Sequence, residues 1–88
     1  MRETTAAEGV LDELAQGCPL PPEDEVRDTY QPVEVYDGEG WPWPGSTTGW
    51  WTGPDGVTAC RLRLSGVATA RWVLFDPDRI VARVQSGT

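Results

Sequence analysis

Apolar and polar positions follow two different periods along this chain. Near the N-terminus, Ala7, Val10, Leu11 and Leu14 recur at i, i+3, i+4 and i+7, one face of an α-helix. Thr5 with Glu8 three residues on is a capping-box pattern, hydroxyl and carboxylate each bonding a backbone N–H of the first turn. Gly17 suits the position just past a helix end, and Pro19 cannot continue one. The spacing predicts a helix over about 5–16. So short an apolar stripe is marginal alone in water, so it must dock on its own domain, on a partner, or on a second copy of the chain as a homodimer.

From Val33 the period falls to two. Residues 33–36 (VEVY), 46–52 (STTGWWT), 57–64 (VTACRLRL), 67–75 (VATARWVLF) and 80–84 (IVARV) read as strands. Turn chemistry separates them: Gly53-Pro54-Asp55-Gly56, Ser65-Gly66, and one tight or 3₁₀ turn at Asp76–Arg79. Pro42 and Pro44 lack donors, which puts Trp41 and Trp43 in a stiff loop rather than inside a sheet. Between the two patterns, residues 18–32 (CPLPPEDEVRDTYQP) read as a proline-rich acidic linker, extended at Pro19–Pro22 and solvated at Glu23–Glu25. The segment PLPP is also of the kind that fits an aromatic groove. The expected organisation is an acidic arm over 1–31 and a β domain over 32–88.

In 57–64 the Cys60, Leu62 and Leu64 side is core and the Arg61 and Arg63 side is outer. A two-residue turn at Ser65–Gly66 would set Arg71 opposite Cys60. A three-residue turn would set Trp72 there, but places β-branched Val67 where positive φ is usual. The two-residue turn is the reading adopted, with Trp72 outward and diagonal to Arg61, within cation–π reach. Trp50 and Trp51 are consecutive in a strand, so one faces the core and the other does not.

This layout resembles a small Src-homology-3-like (SH3-like) barrel: a first strand, a long variable loop, a three-stranded meander, a 3₁₀ turn and a final strand. The resemblance covers residues 33–84 and implies a mainly β, five-stranded closed barrel with Val73 inward, carrying the short N-terminal helix and linker as additions. Trp50-Trp51, followed later by Trp72-Val73-Leu74 and a turn, is similar to eukaryotic members in which such residues form a peptide groove. A whole extra strand separates Trp51 from Trp72 here, so the groove residues do not carry over one by one. The ending PDG…RWVLFDPDRI is also similar to small actinobacterial proteins, a likeness that implies no activity.

Charge adds a division of its own. Residues 1–40 hold 11 acidic and 2 basic side chains, and residues 41–88 hold 3 acidic and 5 basic, within a net charge of −7. All seven basic residues are Arg, and there is no His. The overall sign opposes nucleic-acid and anionic-membrane partners. No apolar run nears the ~20 residues that span a bilayer, and the N-terminus lacks a secretion-signal core, so a cytoplasmic protein is expected. In that compartment Cys18 and Cys60 are expected reduced. Without His or Lys the usual general bases, Schiff bases and imidazole metal ligands are missing. Asp76 and Asp78 read as turn residues. No enzyme, metal or cofactor is expected. The expectation is a protein-interaction module whose exposed surface draws on Trp41, Trp43, Trp50, Trp51, Trp72 and Arg61. The alternatives are a nucleic-acid-associated barrel using Arg61, Arg63, Arg71 and Arg83 with Trp72, or a purely structural homodimer.

Overall fold

The structure, a computed structural model, describes residues 6–83. Helix α1 (Ala6–Ala15) and one 3₁₀ turn (Glu23–Glu25) precede five strands: β1 (Arg27–Tyr36), β2 (Pro42–Thr52), β3 (Thr58–Leu64), β4 (Arg71–Leu74) and β5 (Ile80–Ala82). The strands form one antiparallel sheet in the order β4-β3-β2-β1-β5. Among the described residues no helix is long and apolar enough to cross a membrane.

One face of the sheet carries the core. Val33, Val35, Cys60, Leu62, Leu64, Val73 and Ile80 pack there with Ala7, Val10, Leu11 and Leu14, the same four positions that set the helical period. Gly17 ends the helix at φ 75°, as a residue without Cβ does. Thr5, and with it the capping box, lies outside the described residues. The apolar stripe of α1 is thus buried on the chain's own sheet. The boundary expected between 31 and 32 falls inside β1.

The closed barrel expected from the strand layout is not formed: β4 and β5 are the two edges of an open sheet. Helix α1 reaches both edges instead. Asp12 pairs with Arg71 at the start of β4, and Glu13 takes both terminal nitrogens of Arg79, at 3.2 and 3.3 Å, just before β5. Arg79 also donates from Nε to the Tyr36 carbonyl at 2.8 Å.

Three local expectations fail, each for a positional reason. Residues 27–32, expected in the linker, begin β1; Arg27 pairs with Trp50 and Gln31 with Thr47, with an irregularity between Asp28 and Gln31 that breaks the alternation. Pro42 and Pro44 lie in β2, with Trp43 opposite Val35 rather than in a loop. They are tolerated because the β2–β3 ladder ends at Gly45–Leu64, and the Pro44 carbonyl, which points to the same side as its ring nitrogen, accepts from Ser65 N. The connection from β3 is also longer than two residues. The Leu64–Val67 turn forms, with Gly66 at φ 87°, but β4 starts only at Arg71, so Val73 and not Arg71 faces Cys60. This offset keeps an arginine off the centre of the core: Arg71 sits opposite Leu62 on the edge strand, where Asp12 meets it. The turns at Gly53–Val57 and Asp76–Ile80 match their sequence signals.

Candidate functional site

Strand alternation divides the tryptophans between the two faces of the sheet. Trp43, opposite Val35, and Trp50, opposite Cys60, lie on the core face and pack on the core; Trp50 meets Phe75 edge-on with ring centroids 5.1 Å apart. Trp51, in one row with Ala59 and Leu74, and Trp72, in one row with Arg61 and Gly49, lie on the outer face. Trp41 stands at the β1–β2 turn, 66% exposed. The six expected contact residues therefore do not form one patch. Trp72 and Trp43 are on opposite faces.

At one end of the outer face, Arg61 is engaged through two of its three guanidinium nitrogens. Its Nε donates to Thr48 Oγ1 at 2.9 Å, and Nη2 to the Thr48 carbonyl and to Asp28 Oδ1, both at 2.9 Å. Its guanidinium lies 5.5 Å from the Trp72 ring centroid, directly across the ladder and not diagonal. Gly49 makes this seat: a Cβ there would come within 3.1 Å of Arg61 Cζ and Nη2. The proline-rich segment crosses here and is not a detached spacer. Pro21, Glu23 and Val26 enclose a hollow of about 270 Å³ with Arg61 and Trp72. Glu25 accepts the Trp51 indole N–H at 2.8 Å. Gly17, Cys18 and Pro19 line a second hollow, of about 570 Å³, with Trp51, Pro54 and Leu74.

The other end of the outer face is open. Past the row of Pro32, Ser46 and Arg63, a hollow of about 690 Å³ is lined by Tyr30, Pro32, Pro44, Arg63, Val67 and Arg83 among others. Tyr30 is 71% exposed. Among the described residues no carboxylate lines this hollow. Arg63 and Arg83 have no ion pair or side-chain hydrogen bond among the described residues, whereas Arg61, Arg71 and Arg79 all do. Glu34, cross-strand from Pro44, accepts from the Tyr36 hydroxyl at 3.2 Å.

The turn beyond this end is held locally. One Asp37 oxygen accepts from the Glu39 and Trp41 backbones at 2.8 and 2.9 Å, and the other from Trp43 Nε1 at 3.0 Å. The indole bond first, then the backbone donors, hold the Asp37 carboxyl below its ordinary value. Of the two thiols, Cys18 is half-buried and Cys60 buried, and both are free. Burial pushes the Cys60 thiol up to about 12, with the nearby Cys18 adding to it. Among the described residues no three potential metal-ligating side chains come together.

Tyr30 and Arg83 are the residues that sequence reasoning undervalued at this site. Tyr30 fell in the apparent linker because the irregularity at Asp28–Gln31 hides its alternation. A Tyr two residues before Pro32 at a strand start was the available signal. Comparison with known proteins gives no match: no family model, no curated protein and no solved structure resembles the chain significantly.

Proposed function

We propose that the chain is a non-enzymatic protein-interaction module on an SH3-like frame, acting in the cytoplasm through the open end of its outer sheet face. The frame reading is supported by the meander β2–β3–β4, by the single turn at 76–79 before the last strand, and by β5 lying beside β1. Helix α1 lies across the edges that a barrel would close. The observation that carries the binding reading is the hollow of about 690 Å³ in which an exposed Tyr30 stands beside two arginines that have no ion pair among the described residues. Tyr and Arg are the residue types enriched where protein partners anchor. Of the five tryptophans, Trp41 is the one left to contribute, since Trp43 and Trp50 pack on the core and the outer-face pair lies beside the crossing segment. A nucleic-acid platform is less well supported, because Arg61 and Arg71, two of the four arginines it requires, are already in ion pairs.

Photo-cross-linking in cells tests this. A photoreactive residue at Ser46, on the hollow's floor, is expected to trap a discrete partner band that Tyr30→Ala removes without lowering the melting temperature. Equal trapping from an exposed site elsewhere, such as Asp78, would count against the reading.

A further inference from the structure

We infer that the open hollow receives an extended acidic peptide segment, whose carboxylates pair with Arg63 and Arg83 while its chain lies along Tyr30, Pro32 and Pro44; this rests on the interaction reading above. The chain has 14 acidic and 7 basic residues, so carboxylates outnumber arginines two to one. Three of the six described arginines are paired within the chain. Two of the remaining three, Arg63 and Arg83, line the same hollow, and among the described residues its lining contains no acid. Glu34, the acid beside Pro44, is engaged by Tyr36.

The guanidinium is a planar fork that matches a carboxylate with two parallel hydrogen bonds, and two such forks in one hollow select paired acids over single ones. Proline and tyrosine rings give flat, stiff walls that lose little entropy on contact. Nucleic acid fits less well. Two guanidiniums neutralise about two phosphates, and binding strength to a phosphate backbone grows with the number neutralised. The chain as a whole, at −7 with these two arginines counted, repels a polyanion that extends past the hollow. A short acidic segment keeps its charge where the two arginines are.

A proton–nitrogen correlation titration of the full chain tests this, at an ionic strength that limits long-range charge effects to about 8 Å. The probes are hexaglutamate, hexaglutamine, inorganic phosphate and oligothymidylate. Hexaglutamate is expected to move the amides of Tyr30, Ser46, Arg63, Val67 and Arg83. Arg63→Gln with Arg83→Gln is expected to weaken it at least about tenfold, with the remaining spectrum unchanged. Phosphate binding as tightly as hexaglutamate would overturn the inference in favour of a small-anion site. Tighter oligothymidylate would overturn it in favour of nucleic acid. Hexaglutamine binding equally, with the arginine variants indifferent, would overturn the charge recognition but leave the peptide surface standing. No shift from any probe, with the Ser46 cross-link intact, would overturn the acidic partner alone; loss of that cross-link as well would overturn the interaction reading.

Discussion

The two ends of the outer sheet face use the same residue type in opposite ways. Arg61 and Arg63 are two positions apart on β3 and point the same way. Arg61 makes three hydrogen bonds, faces the Trp72 ring and lies beside the Pro21–Val26 crossing. The Arg63 side chain makes none among the described residues and opens on the hollow with Arg83. The engaged end is tied by contacts between distant segments: 26 residues separate Glu25 from Trp51 and 33 separate Asp28 from Arg61. The open end is joined by backbone bonds, from Ser65 N to the Pro44 carbonyl at 2.9 Å and from Arg83 N to the Pro32 carbonyl at 3.0 Å, and in the turn beyond it the Asp37 side chain bonds residues no more than 6 away. What distinguishes the two arginines is thus what the chain brings over them. An acid-rich segment covers one and leaves the other available.

If the engaged end depends on a segment anchored through α1, the anchor must belong to the core. Leu11 is 1% exposed, and Leu11→Ala is expected to lower stability by about 2–5 kcal/mol in urea unfolding. A cost under about 1 kcal/mol would mean that the helix merely leans on the sheet. The arginines give a sharper test. Arg61→Ala should cost about 1–2 kcal/mol, discounted for its partial exposure. Arg63→Ala should leave the melting curve where it was. Equal costs would erase the distinction between the ends.

Trp51→Phe keeps an aromatic ring on the strand but removes the indole N–H that bonds Glu25, together with the fused five-membered ring. It is expected to cost about 0.5–1 kcal/mol and to shift the amides of 23–26, with those around Arg63 unmoved. The smallest effect concerns pH at the open end. The Asp37 carboxyl is depressed below its ordinary 3.8 in the fold. Its support of the turn is therefore complete above the unfolded value and fades as pH falls through the folded one. Indole fluorescence in an acid titration should report this loss, and Asp37→Asn should flatten that part of the curve. An unchanged curve would mean that the carboxylate does not hold the turn.

The helix and the strands from Val33 on were legible in the sequence because each depends on near neighbours. The apolar stripe of α1, the Gly17 stop, the GPDG turn and the inward Cys60–Leu62–Leu64 side follow from spacing and φ preferences within a few residues. The sequence also determined that Trp50 and Trp51 must face opposite ways and that the acids crowd the first half. It could not choose the register of β4, since Ser65–Gly66 does form a turn and yet the chain waits until Arg71 to pair. That delay is settled by which residue α1 and Cys60 accept beside them. Nor could it show that 27–32 extend β1, because an irregular pairing erases the period that marks a strand. Only the tertiary structure decided that the sheet stays open, that Pro42 and Pro44 can sit in a strand whose neighbour has ended, and that the proline-rich segment crosses one arginine and misses the other. These choices rest on contacts between segments tens of residues apart, and such contacts leave no trace in local periodicity.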